Sequence, residues 1–399
     1  MPQALCSRRL TSPTDQRARA TLQDLERRHL LRRIPVIERR EGVNYLVDGE
    51  PVVGFCSNDY LGYASAPPIT AQHPHYTTDS GAGASRLICG DLQPHRELEK
   101  TLAAIARTDD SVLFVSGFQL NVGVLPALLR EHDAVYSDRL IHASLIDGLR
   151  LSKPQPQILP HLNAPPKETH DVRTPHSRLR WWICESLYSM NGTRHAPRDL
   201  TAWTNDGNAL YLDGAHDFGL FQGGTGWAQA EDINATLYMG TLGKAYGAAG
   251  AFLAASKPIC DWVRNTARSF IFSTAMSPLV AVHLLDRIEA VQGDDGDRRR
   301  AALTARIHQM SELLELPIND AIIPLAVGDP SLALSFSQQL RGRGWHVQAI
   351  RPPTVPNGTS RLRLTLSAAH TAEHVEHLAV DLRALFRRVD HPLRLAAST

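Results

Sequence analysis

Lys244 stands where a lysine is least expected. In "TLYMGTLGKAYGAAGAF" (236–252) an apolar run ends at Gly243, and the segment after the lysine is almost all Ala and Gly. An ammonium is costly to desolvate, so such a setting points to a partner or to a covalent bond. A phosphate loop of the form G-x-x-x-x-G-K-[ST] is excluded, because Ala245 follows the lysine and Gly240 lies too close to Gly243. Two possibilities remain: an ordinary exposed lysine on a turn, or a lysine carrying an aldehyde cofactor as a Schiff base. The second requires a carboxylate elsewhere in the chain for a pyridinium nitrogen.

Other segments supply candidates for such a site. "NALYLDGAHDFGLF" reads as a strand ending in Asp213, with His216 three residues on, and "RLRWWICESLYSM" as a buried strand leading to Glu185 and Ser189. In "SVLFVSGFQLNVGVLPALL" a strand (111–115) runs through Ser116, Gly117 and Phe118 into a helix starting near Gln119. Such a junction aims unpaired N–H groups and the positive end of a helix dipole at an anion, although an ordinary turn with a glycine would look the same. "AVYSDRLIHASLIDGLRLS" gives a strand, a turn and a helix from near His142, a histidine that by itself could be merely structural. Strands alternating with helices imply a mostly parallel sheet, whose ligands gather at the carboxyl ends of the strands. Ser116, Ser189, Asp213 and Lys244 all fall at such ends.

The elements around them follow from periodicity. Residues 16–33 predict a surface helix carrying Leu22, Leu25, His29 and Leu30, and residues 43–64 a hairpin turning at Asp48-Gly49, then a polar loop at Ser57-Asn58-Asp59. Residues 153–180 suggest irregular connections around a short helix, and 278–316 a long helical stretch with a hinge at "QGDDGDRRR". Three units are expected: an N-terminal helix and arm (1–45), a large domain (46–290) and a small C-terminal α/β domain (291–399). His370, His374 and His377 could share a helix face, but no carboxylate or cysteine completes a zinc site, and no metal is expected. A formal net charge of +1 gives no field that would draw the chain to nucleic acid or membrane. Five cysteines (6, 56, 89, 184, 260) without C-x-x-C, and no apolar run of bilayer length, suit a reducing, cytoplasmic setting.

Taken in order, "SNDYLG", "SGFQLN", "DRLIHASL", "ESLYSMNG", "LDGAH", "TLGKAYG" and "FIFSTAMSP" resemble the motifs of the pyridoxal-phosphate α-oxoamine synthases. The tail "IRPPTVPNGTSRLRLTLSAAH" (350–370) is similar to the biotin-pathway branch, which condenses L-alanine with a pimeloyl thioester on coenzyme A or acyl carrier protein. The resemblance spans roughly residues 40–385. It implies a fold-type-I transferase with a seven-stranded-type, mostly parallel sheet covered by helices, acting as a homodimer with pyridoxal 5'-phosphate. By the same resemblance Lys244 would hold the cofactor and move the substrate proton, Asp213 would pair with the pyridine nitrogen, and His142 would stack on the ring. Ser189 and His216 would bond the phenolic oxygen. Gly117, Phe118 and Thr241 would hold the phosphate, with Ser273 and Thr274 reaching it from a second subunit. Asn58 and Arg351 would receive the substrate carboxylate, Thr354 would touch substrate, and Arg32 is the N-terminal arginine expected to meet the acyl group. Gly214, Asp217, Asn191 and Thr193 depart from the family pattern. A non-catalytic relative would be expected to lack Lys244 or Asp213, and both are present.

Overall fold

The structure, a computed structural model, describes residues 12–66, 79–167 and 178–396. Cys6 and part of the stretch expected to hold a short helix (168–177) lie outside the described residues. The chain opens with a solvent-facing helix, α1 (Pro13–Arg27), whose Ser12 and Asp15 form a capping box. Strands β1 (Ile37–Glu41), β2 (Asn44–Val47) and β3 (Glu50–Gly54) then form an antiparallel meander. The expected turn lies between β2 and β3: Asp48 and Gly49 both have positive φ, 48° and 80°, as tight hairpins require.

Helix α2 (Gln93–Ala106) leads into the large sheet, which is built from β4 (Asp110–Phe114), β5 (Ala134–Asp138), β6 (Gln157–Leu159), β7 (Arg180–Glu185), β8 (Ala209–Asp213), β9 (Leu237–Thr241) and β10 (Ala251–Ala255). Its order is β4-β10-β9-β8-β7-β5-β6. Only β10 runs antiparallel to its neighbours, so the mostly parallel sheet anticipated from strand–helix alternation is present. Both faces are buried. Leu210 and Leu212 of β8 enter one apolar cluster and Tyr211 the other, the two-residue alternation of a covered strand.

Two helices matter most for the site. Helix α3 (Gly117–Leu128) starts directly after β4, and Ser116 Oγ caps it by accepting the Gln119 N–H at 3.2 Å. Helix α4 (Ala143–Leu151) starts after β5 with His142 as its cap. The two pack tightly because Gly148 has no side chain: a Cβ there would lie 2.6 Å from the Asn121 carbonyl. This contact sets Ser144 of α4 against Asn121 of α3.

The C-terminal portion carries β11 (Ile322–Gly328), β12 (Trp345–His346), β13 (Gln348–Ile350) and β14 (Ser360–Thr365). β11, β14 and β13 form one sheet, while β12 pairs in parallel with β3, setting Trp345 against Val53. The N-terminal meander is therefore continuous with a C-terminal strand, and β2 runs through the boundary anticipated at residues 45 and 46. The expected hinge is also shorter than its composition suggested. Helices Pro278–Gln292 and Asp294–Leu314 are separated only by Gly293. Asp294, Asp295 and Asp297 occupy the first turn of the second helix, where the dipole favours negative charge, so the acidic run starts a helix rather than a loop.

Gly148→Val should force α4 away from α3. The expected cost is about 1–3 kcal/mol, typical of overpacking, read as a lowered thermal unfolding midpoint. An unchanged midpoint would contradict the helix contact described here.

Candidate active site

The carboxyl ends of β4, β7, β8 and β9 surround a cavity of about 580 Å³ lined by Ser116, Gly117, Phe118, His142, Glu185, Asp213, His216, Thr241 and Lys244, among others. Sheet register sets its floor: Glu185 lies beside Asp213, and Asp213 beside Met239. Lys244 follows β9 at the start of a tight turn, where Gly247 N–H donates to its carbonyl at 2.9 Å. Surface area leaves Lys244 half-buried because it faces the cavity. Protein nevertheless surrounds its amine deeply enough that burial lowers its pKa to about 8, against the opposing pull of the Asp213 and Glu185 carboxylates. This excludes an ordinary surface lysine.

Asp213 is held on both oxygens. Oδ1 accepts the Ala215 N–H and Oδ2 accepts Asn121 Nδ2, each at 3.0 Å. Asn121 is fully buried; its Nδ2 also donates to Ser144 Oγ at 2.9 Å, and its Oδ1 accepts the Tyr211 hydroxyl. Ser144 in turn fixes His142. The backbone N–H of Ser144 can only donate, so His142 Nδ1 accepts it at 3.2 Å, together with the Ser144 hydroxyl at 2.7 Å. The imidazole proton therefore sits on Nε2. Burial lowers the pKa of His142 despite the nearby Asp213 charge, and burial also drives His216 well below the usual range, so both rings are neutral near pH 7. The Tyr60 hydroxyl meets His216 Nδ1 at 2.6 Å. Glu185 goes the other way: burial, reinforced by the Asp213 charge, raises its pKa well above the carboxylate range.

The remaining surfaces suit a phosphorylated aldehyde. The first turn of α3 presents its N–H groups at one end of the cavity, and a Cβ at Gly117 would lie 2.9 Å from Met239 Cε and 3.1 Å from Thr241 Cγ2, so a side chain there would crowd the cavity floor. Thr241 Oγ1 donates to the Ala215 carbonyl at 2.9 Å while facing the same space. Ser273 and Thr274 line a different, small pocket beside Arg86 and Phe270.

A second cavity of about 900 Å³ meets the first at His142, the residue common to both linings. α1, the segment after it and the loop 352–357 contribute one wall, and Ser189, Met190, Asn191 and Arg361 contribute another. Arg32 and Thr354 come together here, with Nη2 donating to Oγ1 at 2.8 Å. Arg351 is placed differently from expectation. Its guanidinium turns to the His29 carbonyl, and the arginine that reaches Asn58 is Arg363, whose Nη2 donates to Oδ1 at 3.1 Å. Ser189 contributes its carbonyl to Arg363 Nε at 2.7 Å and lies on the second cavity. Sequence reasoning missed Arg363 and Asn121. The alternation "SRLRLT" put arginines on one face of β14 and leucines on the other, which was the available signal.

The departures from the family pattern are accommodated locally. A Cβ at Gly214 would meet the Tyr238 hydroxyl at 2.2 Å, so the tyrosine occupies that space and donates to Asp217 at 3.1 Å. Arg194 bridges Asp217 and Asp320 at 3.2 and 2.7 Å. Thr193 Oγ1 bonds His161 at 2.8 Å. His370 is a structural histidine: Nδ1 accepts the Ser367 N–H, Nε2 meets the Gly54 carbonyl, and the ring stacks on Phe55.

The pattern of the aminotransferase class I and II family matches residues 50–382. The chain is 37% identical to an 8-amino-7-oxononanoate synthase of Herminiimonas arsenicoxydans, over 90% of this chain and 96% of that protein. This chain belongs to the class I and II aminotransferase family, among the 8-amino-7-oxononanoate synthases. A second such synthase, from Bordetella petrii, is 38% identical over 93% of this chain and 98% of its own length. The fold is shared with a serine palmitoyltransferase carrying pyridoxal phosphate as an internal aldimine, at a TM-score of 0.83 and 23% identity, covering 96% of this chain and 100% of that one. The cofactor of the family is pyridoxal phosphate, and the cavity has the groups to hold it.

Two outcomes are expected. Only the neutral amine of Lys244 is a nucleophile, so covalent uptake of pyridoxal phosphate by the apo-protein should quicken about tenfold per pH unit and level off near pH 8. Stopped-flow absorbance showing a rise that continues to pH 10 would refute the depressed pKa. Asn121→Leu should strip a buried partner from Asp213, a loss of about 1–3 kcal/mol, and weaken cofactor affinity as measured by equilibrium dialysis.

Proposed function

We propose that this protein condenses L-alanine with a pimeloyl thioester, on coenzyme A or acyl carrier protein, to give 8-amino-7-oxononanoate, carbon dioxide and free thiol. The observation that carries this is the junction of two cavities at His142, one built for an amino acid on a lysine-bound cofactor and the other large enough for an acyl chain. A transamination site needs only the first. Membership among the 8-amino-7-oxononanoate synthases supports the same substrates.

Bound in the first cavity, pyridoxal phosphate supplies an electron sink for charge developing at the amino-acid α-carbon. The chain's own groups do the rest. Asp213, immobilised by Asn121 and the Ala215 N–H, keeps its charge available to a pyridinium nitrogen. The amine of Lys244, with a pKa near 8, can accept the α-proton and return it without an added base. His142, neutral and with its proton on Nε2, lines both cavities and would stack on the cofactor ring. Arg363, aligned by Asn58 and the Ser189 carbonyl, receives the amino-acid carboxylate in the place expected of Arg351. Arg32 and Thr354 would hold the acyl substrate, and His216 would bond the phenolic oxygen from the first cavity, whereas Ser189, expected beside it, lines the second. Ser273 and Thr274, lying away from this chain's own cavity, would serve the phosphate of a partner in a homodimer. The described cysteines 56, 89, 184 and 260 are free thiols, and no described helix is long and apolar enough to cross a membrane. Both facts agree with a cytoplasmic enzyme.

Holoenzyme given alanine or glycine with pimeloyl or acetyl thioesters should release thiol with alanine and the pimeloyl thioester; release confined to glycine defeats the assignment. Lys244→Ala should abolish turnover while retaining the far-ultraviolet circular dichroism of the parent, and an active variant would refute the role given to the amine.

A further inference from the structure

One residue outside the lining of the first cavity controls a group inside it. Tyr60 follows the polar loop Ser57-Asn58-Asp59, and its backbone carbonyl accepts the Ala368 N–H at 2.8 Å, which pins the loop to the segment just beyond β14. Its side chain is fully buried, yet the hydroxyl meets polar groups from two other segments. It lies 2.6 Å from His216 Nδ1 and 3.5 Å from Asn58 Oδ1, with the Arg363 guanidinium beside it. Burial raises the pKa of this phenol, and the charge of Arg363 and a hydrogen bond from it are the chief opposing influences. Tyr60 is therefore a neutral phenol with one proton to share.

The direction of that proton follows from its neighbours. An arginine can only donate, so the phenolic oxygen accepts from Arg363 and its O–H must point elsewhere. Asn58 Oδ1 is at the limit of bonding distance and already accepts Arg363 Nη2 at 3.1 Å. His216 Nδ1, much closer, is the remaining acceptor. Burial, together with the Lys244 and Arg363 charges, holds the imidazole well below its usual pKa, so the ring is neutral and carries a single proton. With Nδ1 accepting, that proton sits on Nε2. Nε2 has no partner among the described residues, and His216 lines the first cavity.

We propose that Tyr60 is a positioning residue: its O–H holds His216 in the tautomer that offers Nε2–H to the phenolic oxygen of pyridoxal phosphate, and its oxygen steadies Arg363 for the amino-acid carboxylate. One hydroxyl thus sets a donor for the cofactor and a donor for the substrate, although it touches neither ligand. The assignment of His216 and Arg363 to those ligands rests on the function proposed above.

NMR of the cofactor-free protein with isotope-labelled histidine reads the tautomer without any turnover, the His216 signals being identified by their loss in His216→Gln. The parent should show the proton on Nε2 and a hydrogen-bonded Nδ1. Tyr60→Phe should lose the bond at Nδ1 and populate both tautomers. As holoenzyme, the same variant should lose part of the yellow absorbance of the bound cofactor, which a donor to the phenolic oxygen sustains. Its KM for alanine should rise roughly threefold to tenfold, as removal of one hydrogen bond would produce, with KM for the pimeloyl thioester unchanged. A parent with the proton on Nδ1, a Tyr60→Phe protein whose His216 signals match the parent's, or equal losses on alanine and thioester would overturn the proposal. If Tyr60→Phe does not fold, the parent decides alone: scalar coupling between the Tyr60 hydroxyl proton and His216 Nδ1 supports the proposal, and its absence overturns it. If the holoenzyme consumes no thioester with alanine, the condensation reading fails, and the histidine spectra still decide for Tyr60.

Discussion

An amine and two carboxylates crowded at the ends of adjacent parallel strands constrain everything near them. Glu185 and Asp213 are register partners on β7 and β8, and Lys244 comes off β9, the next strand in both chain and sheet. Burial disfavours the charged forms of both Glu185 and Lys244, and the neighbouring charges modulate each shift. Glu185 moves toward the protonated form and Lys244 toward the free amine, while Asp213 has the Asn121 amide and the Ala215 N–H to hold it. A reactive amine at neutral pH is thus a property of the sheet's register as much as of the residue.

The helices translate that arrangement into ligand geometry. Because Gly148 lets α4 lie against α3, one buried amide can bond both Asp213 and Ser144, and Ser144 fixes the tautomer of His142. The carboxylate of Asp213 and the imidazole shared by the two cavities are therefore oriented by the same side chain. The C-terminal sheet completes the enclosure from the opposite side. β14 sends leucines into its own core, while Arg361 lines the second cavity and Arg363 reaches Asn58 at the edge of the first.

Much of this was readable in the residues themselves. Lys244 in its Gly- and Ala-rich setting, Asp213 at a strand end and the Ser116 junction were local signals, and the parallel sheet gathers them as such sheets do. The Asp48-Gly49 turn was equally plain. What escaped depended on contacts between distant segments. Arg351 and Arg363 are both arginines in one motif, and only the pairing of β14 with β11 and β13 decides which of them faces Asn58. The acidic run at 294–297 read as a hinge because charge was weighed without the helix dipole it complements. The sharing of β3 with β12 could not be inferred at all, since nothing in a short apolar strand names a partner nearly three hundred residues away.

That last pairing bears on how the polypeptide matures. Val53 meets Trp345, so the edge of the first meander stays open until 292 further residues have left the ribosome, roughly 15–60 s at ordinary elongation speeds. During that interval β3 offers bare peptide groups to any passing strand. A nascent chain of this design has reason to recruit a chaperone early, and a message cut short before codon 345 would yield a product whose N-terminal edge never closes.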